Sequence, residues 1–203
     1  MGLYSNLIFP YCLDFTMSGS DLSEYRQQLL ADVSGEVLEI GFGTGLNLPH
    51  YPDNIEKITT IDPNRGMRRR ARSRIETSGI TVEYKVLNGE NIPIADASFD
   101  SVVCTWTLCS IQRVDKAIAE IHRLLKPEGK FFFIEHGLSR DDRVQVWQNR
   151  LTPIQKIIAD GCHLNRGIDA LVKRQFDRVT IEQFYAPKLP KVIGYMYKGV
   201  AIK

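Results

Sequence analysis

The stretch Glu36-Val-Leu-Glu-Ile-Gly41-Phe-Gly43-Thr-Gly45-Leu46 decides how this chain folds. Its first five residues read as a buried strand, and they run straight into three glycines at alternate positions. Such a loop allows a tight turn and lets a ligand approach the backbone closely. Taken alone, it is also what a plain structural turn looks like. Its spacing excludes two common phosphate cradles. A dinucleotide loop needs G-x-G-x-x-G, but position 46 is Leu. No Gly-Lys-Ser/Thr follows, so there is no Walker A loop either. The pattern E-x-G-x-G-x-G suits a nucleoside without a pyrophosphate. The glycine backbone would then pass close to an amino-acid part of the ligand, with Glu39 helping to hold the loop.

Outward from this stretch, short β-rich runs alternate with helical patterns. Lys57–Ile61, Ile80–Leu87, Phe99–Thr105 and Lys130–Ile134 read as further strands. Arg65–Ser78 and Asp115–Leu125 carry helical spacing, the second ending before Pro127-Glu-Gly129. The alternation predicts an α/β fold with a doubly wound, Rossmann-like sheet. The end of the chain breaks the pattern. Val179–Tyr185 and Val192–Ile202 are strand-like runs separated only by Pro187-Lys-Leu-Pro190, so no helix is expected between them and they should pair antiparallel. A helical stretch, Val144–Phe176, is expected to be interrupted near Pro153 and Gly161. The segment before the first strand is expected to be helical from Asp21. These two stretches are the natural material for a cap over the sheet's C-terminal edge.

Two more elements fall at strand ends. Asp62 closes the second strand, 21 residues after Gly41, where a doubly wound fold presents an acid to ribose hydroxyls. A carboxylate accepts from both hydroxyls of a diol; a helix N-cap before Pro63 is its structural alternative. Asn88-Gly89-Glu90 follows the third strand and can read an adenine edge, or simply turn the chain.

Composition agrees with an ordinary globular chain. The 203 residues are 43% hydrophobic and 25% charged, which excludes a disordered or disulfide-stapled chain. A net charge of +2 argues against a dedicated nucleic-acid partner. No apolar run approaches the roughly 20 residues of a membrane span, and Met1–Leu13 lacks the basic start of a signal peptide. Cys12, Cys104, Cys109 and Cys162 form no CxxC pair and no His cluster sits at zinc spacing, so free thiols in a reducing cytoplasm and no metal are expected.

The stretches Val37-Leu-Glu-Ile-Gly-Phe-Gly-Thr-Gly45, Ile61-Asp-Pro-Asn64, Asn88-Gly-Glu-Asn-Ile-Pro93, Ser98-Phe-Asp100 and Leu124-Leu-Lys-Pro-Glu-Gly-Lys130 resemble the class I S-adenosylmethionine-dependent methyltransferases. The resemblance spans residues 35–137. Val103–Ser110, Phe133–His136 and Asp160–Asn165 are similar to the small methyltransferases related to microsomal alkyl-thiol methyltransferases. Phospholipid N-methyltransferases and ubiquinone/menaquinone methyltransferases are more distant likenesses. The resemblance implies a single domain over 1–203 with a seven-stranded, mostly parallel sheet and an antiparallel C-terminal pair. Its parts are an N-terminal lid (1–30), a cofactor-binding core (35–137), a helical cap (138–178) and a C-terminal hairpin (179–203).

Carried over by position, Gly41, Phe42, Gly43 and Gly45 line the methionine moiety, and Asn47 also touches the cofactor. Asp62 holds the ribose hydroxyls, with Pro63, Asn64 and Met67 flanking the adenosine. Asn88, Gly89 and Glu90 face the adenine, and the carbonyl of Thr105 meets the cofactor's amino group. Many relatives carry Asp where this chain has Asn88. The implied reaction is methyl transfer from S-adenosylmethionine, leaving S-adenosylhomocysteine. The implied acceptor is a small or lipid-like molecule, with a thiol as the first reading. An amine or phospholipid headgroup, or cofactor binding without catalysis, are the alternatives.

A thiol acceptor must lose its proton, because the thiolate is the nucleophile. His136, at the end of the fifth strand, is the candidate base, or else a structural histidine; Glu135 should point to the opposite face. Tyr4, Tyr11, Phe15, Cys109 and His163 are candidate pocket walls. Six arginines crowd the helix from Arg65 to Arg74. They form either a solvated face or a contact with anionic lipid or RNA, and the apolar segment Leu3–Met17 is a lid over the acceptor pocket, a core helix or a peripheral membrane contact.

Overall fold

A computed structural model describes residues 3–203 of the chain; Met1 and Gly2, the first residues of the expected lid, lie outside the described residues. Two helices, α1 (Phe9–Met17) and α2 (Ser20–Leu30), precede strand β1 (Val37–Ile40). Then come β2 (Lys57–Ile61), α3 (Arg65–Thr77), β3 (Thr81–Lys85), β4 (Phe99–Thr105), α4 (Val114–Leu124) and β5 (Leu125–His136). The last part holds α5 (Asp142–Ile158), α6 (Ile168–Lys173), β6 (Arg178–Tyr185), a single turn α7 (Lys191–Gly194) and β7 (Tyr195–Ile202). One sheet contains all seven strands in the order β3-β2-β1-β4-β5-β7-β6. β1 to β5 run parallel and β7 is antiparallel to both β5 and β6.

Alternation along the central strands sorts the core into two layers. Leu38, Ile40, Val102, Cys104, Phe131 and Phe133 face one side, where α4 lays down Ile118, Ile121 and Leu124. Val37, Val103, Phe132 and Ile134 face the other, against Leu29 and Leu30 of α2 and Tyr51. Each fully buried side chain of this size contributes about 1.5–3 kcal/mol. Helix starts follow local chemistry: Asn64 accepts from the Gly66 N–H at 2.9 Å, and Asp141 from the Arg143 N–H at 2.9 Å.

Several details differ from the sequence reading. The N-terminal segment is helical from Tyr4 rather than from Asp21. No α-helix joins β1 to β2; Pro49 sits in a 3-10 turn, Leu48–His50. Pro153 does not interrupt α5. It and Asn149, whose carbonyl loses its usual donor, are both exposed, so water can satisfy that group. The chain between β6 and β7 coils into α7, so Val192 is helical and the last strand starts at Tyr195.

Candidate active site

Strand order reverses between β1 and β4, and in such sheets ligands bind beyond the carboxyl ends at this point. A cavity of ≈ 790 Å³ opens there, a size that suits a small-molecule site. Its floor comes from strand ends. Gly41 stands at φ +78°, and a Cβ there would collide with Thr107, so the loop can be this close only as glycine. Its N–H donates to the Ile61 carbonyl at 2.8 Å. Gly43 has φ +55°, and a Cβ on it would meet nothing closer than 3.9 Å. Its backbone is thus open to the cavity it borders.

Two buried acids hold this loop. Glu39 accepts from Asn47 Nδ2 at 2.8 Å and from Tyr51 Oη at 2.7 Å. Burial pushes its pKa up to about 7 against the pull of those two donors. Asp62 accepts from the N–H groups of Gly43 and Asn64, each at 2.8 Å, and burial raises it to about 6. Asp62 borders the cavity while Glu39 lies behind the loop. Gly41, Phe42, Gly43, Asn47, Asp62, Pro63, Asn64, Met67, Asn88, Gly89, Glu90 and Thr105 all line the cavity. Gly45 does not; it packs against Leu48, Phe42 and Ala71.

The far end of the cavity carries different chemistry. Cys109 Sγ, His136 and Cys162 Sγ present donor atoms within 4.8 Å of one another. His136 Nε2 is 2.8 Å from Cys162 Sγ, while its Nδ1 is buried without a partner. Burial pushes the imidazole down, but the Cys109 thiol and Glu135 outweigh it, so its pKa stands above the ordinary value. A hydrogen bond with Cys109 lowers Cys162, whereas that same pairing, with burial, raises Cys109. Glu135 does face the other way. It is fully buried and accepts from the N–H groups of Thr107, Leu108 and Cys109 at 2.7, 2.8 and 3.3 Å, which shapes the loop after β4.

Helix α1 forms the roof, with the phase opposite to that expected. Phe9, Cys12, Leu13, Thr16 and Met17 line the cavity. Tyr4, Tyr11 and Phe15 do not: Tyr4 donates to the Ile158 carbonyl at 2.8 Å, Tyr11 stacks under Arg70, and Phe15 is 84% exposed. The reason is Asp14. It is buried and accepts from Arg70, Arg74 and Thr44, which turns the Tyr11–Phe15 side outward. So part of the arginine helix clasps α1 instead of facing solvent. His163 is also outside the cavity, bonded to the Cys109 carbonyl through Nδ1 at 3.1 Å and through its N–H at 2.9 Å. Arg26 and Trp106 border the cavity too and were not singled out in the sequence, and Cys162, expected only as a free thiol, joins them there. The i, i+3, i+4 spacing from Phe9 to Met17 was the available signal for the roof.

The floor fits a nucleoside bearing a charged tail. A glycine backbone open to the cavity and a buried carboxylate at the adjacent strand end stand beside two buried donors without partners, Arg26 Nε and Trp106 Nε1. Together with the strand order, this defines a class I S-adenosylmethionine-dependent methyltransferase. The family model described as a methyltransferase domain matches residues 38–133. The rat (Rattus norvegicus) thiol S-methyltransferase TMT1B is 39% identical over 96% of this chain and 86% of its own length. The human (Homo sapiens) thiol S-methyltransferase TMT1A is 32% identical over 100% of this chain and 90% of its own. A SAM-dependent methyltransferase of Thermotoga maritima superposes with a TM-score of 0.69 at 19% identity, covering 98% of both chains. The chain belongs to the family of the thiol S-methyltransferases and is an enzyme that uses S-adenosylmethionine on a small-molecule acceptor. Among the described residues, no helix is long and apolar enough to cross a membrane.

Proposed function

We propose that the protein methylates the sulfur of a small apolar or amphiphilic thiol and releases S-adenosylhomocysteine. The observation that carries this reading is one cavity joining the glycine loop and Asp62 to the Cys109–His136–Cys162 cluster under an apolar roof. Full-length similarity to thiol S-methyltransferases supports it.

Bound S-adenosylmethionine supplies an electrophilic methyl group on a sulfonium that departs as a neutral thioether. The chain's own work is therefore alignment, exclusion of water and handling of one proton. Gly41, Phe42, Gly43 and Asn47 flank the methionine moiety, with Glu39 and Gly45 shaping the loop from behind. Asp62 takes the ribose hydroxyls. Pro63, Asn64 and Met67 flank the adenosine, and Asn88, Gly89 and Glu90 edge the adenine. The Thr105 carbonyl, which also accepts from the Thr107 hydroxyl at 3.1 Å, meets the amino group. His136, which borders the cavity beside Cys109 as wall, accepts the thiol proton. Residues 1–203 act as a single methyltransferase domain, with 1–30 as lid, 35–137 as cofactor core, 138–178 as cap and 179–203 as hairpin.

The same reading puts the protein in the cytoplasm, in peripheral contact with a membrane. Leu7, Ile8 and Phe15 of the N-terminal segment and Ile154, Ile157 and Ile158 of α5 are exposed, and Tyr4 joins the two segments. A lipid-like acceptor would enter from such a surface.

Purified protein with a small alkyl thiol is expected to release S-adenosylhomocysteine and the methyl thioether. Phosphatidylethanolamine vesicles alone are expected to give neither. Release with vesicles alone would transfer the acceptor role to a headgroup amine.

A further inference from the structure

Cys109, in the loop after β4, and Cys162, beyond the end of α5, both line the far end of the cavity. Their backbones are already joined. The N–H of His163, the residue after Cys162, donates to the Cys109 carbonyl at 2.9 Å. The turn that brings the chain back to this point is a strained one: Asp160 stands at φ +46° and Gly161 at φ +97°. The Ser5 hydroxyl donates to Asp160 Oδ1 at 3.0 Å and holds the turn in place. The two Sγ atoms and a His136 nitrogen lie within 4.8 Å of one another. A disulfide needs adjacent backbones and converging side chains, and the pair has both.

The two thiols are not equivalent. Cys162 Sγ lies 2.8 Å from His136 Nε2, and Gln155 Nε2 donates to it at 3.8 Å. The hydrogen bond with Cys109 holds its pKa below the ordinary thiol value. Arg166, whose guanidinium donates to the Leu108 carbonyl, pulls the same way. Cys109 is pushed up by that same bond and by burial. One sulfur that ionises easily beside one that keeps its proton is the asymmetry of an attacking and a resolving thiol. Methyl transfer to an acceptor uses neither sulfur as a reactant.

We propose that Cys109 and Cys162 are a reactive dithiol that reduces small apolar organic disulfides at this end of the cavity and so frees a thiol for methylation. This rests on the thiol reading above and adds a second activity to the same site. The Cys162 thiol gives its proton to His136, and its sulfur attacks one sulfur of the organic disulfide. That S–S bond breaks as a mixed disulfide forms on Cys162, and the first thiolate leaves with the proton from His136. Cys109 Sγ then attacks Cys162 Sγ. The internal disulfide closes, and the second thiolate leaves with the Cys109 proton. The chain has lost two electrons and two protons, and the organic disulfide has gained them as two thiols. A further low-molecular-weight thiol reopens the pair by the reverse exchange. Phe9, Leu13 and Ile158, which line the same cavity, suit an apolar substituent on the disulfide.

The test is single-turnover exchange of the full chain with 2,2′-dithiodipyridine, a small apolar disulfide whose released thiopyridone absorbs light. A Cys12→Ser background removes the one exposed thiol. Two thiopyridones per chain are expected, with no adduct retained and Cys109 joined to Cys162 in the peptide map. Cys109→Ser should stop halfway, releasing one thiopyridone and keeping the adduct on Cys162. Cys162→Ser should slow the first release by about tenfold or more, because the attacking thiolate is lost. In a second arm the chain receives S-adenosylmethionine and a dialkyl disulfide, with no free thiol. The methyl thioether is expected from the parent chain and not from Cys162→Ser. Two retained adducts without the cross-link, or no reaction at either cysteine, would make the pair structural and overturn the proposal. So would thioether formed from the disulfide undiminished in Cys162→Ser. The wild type is assayed in parallel with the free alkyl thiol. Exchange without methylation of that thiol would support the dithiol and defeat the thiol-methylation reading. Methylation without exchange would do the reverse.

Discussion

The floor and the roof of the cavity are built by different physics. The floor is backbone held by buried carboxylates: Glu39, Asp62 and Glu135 accept from loop donors over short distances. Its strands are parallel, continuous and buried on both faces. The roof is a helix held at a distance by charge. Asp14 reaches across to Arg70 and Arg74 on α3, and the outer face carries exposed Phe15 at 84%. A floor of this kind fixes where a common ligand sits. A roof of this kind can vary its lining without disturbing the floor, which suits the part that chooses an acceptor.

The sharpest way to break the comparison is at the seam, where floor chemistry meets the acceptor. His136→Asn is expected to lower kcat by about 100-fold or more while leaving S-adenosylhomocysteine affinity unchanged. Wild-type turnover should fall on the acid side with an apparent pKa above the ordinary 6.5, since the neutral ring is the base and its pKa is raised. That limb should flatten in the variant. An unaltered profile would remove His136 from proton transfer.

Next in size is the floor itself. Glu135→Gln puts an amide donor against a ring of backbone N–H groups at Thr107, Leu108 and Cys109. The expected cost is about 2–4 kcal/mol of unfolding free energy, measurable in denaturant with an unchanged slope. A change below about 1 kcal/mol would mean that the loop after β4 keeps its shape without the carboxylate.

The roof should respond locally. Asp14→Ala is expected to cost about 1–3 kcal/mol, read as faster hydrogen exchange confined to residues 3–17. Burial would raise the Asp14 pKa, but its bonds from Arg74, Thr44 and Arg70 win and hold it below 3.8. The clasp's stabilisation is therefore present above pH 3.8 and is lost as pH falls through the lower folded value. Exchange that rises equally in the sheet would show that roof and floor unfold together.

The same contrast explains what could be read from the chain. The placement of Gly41, Asp62 and Asn88 at the cavity was legible because each stands at a strand end, which local pattern reveals. Strand limits at Lys57–Ile61 and Phe99–Thr105 follow from short runs rich in β-branched and apolar residues. The facing of α1 was not legible. Tyr11 and Phe15 are apolar enough to suggest an inward face, and only the pairing of Asp14 with Arg74, 60 residues away, turns them outward. Arg26 hid for a related reason: one arginine on an amphipathic helix looks solvated until Trp106 is folded over against it. Cys109 and Cys162 are far apart in the chain, and the β4–β5 edge and the end of α5 bring them to His136.

Phe15→Ser should produce the smallest effect in solution and the most informative one about the roof. The side chain is 84% exposed and borders no part of the cavity, so stability should change by less than about 0.5 kcal/mol. Turnover of a water-soluble thiol should not change. Sedimentation with phosphatidylcholine–phosphatidylserine vesicles should weaken, because a buried phenyl ring is worth about 1.5–3 kcal/mol of interfacial affinity. If soluble turnover fell instead, Phe15 would be acting on the inside of the lid, and the outward phase of α1 would be a closed-state arrangement that the working enzyme leaves.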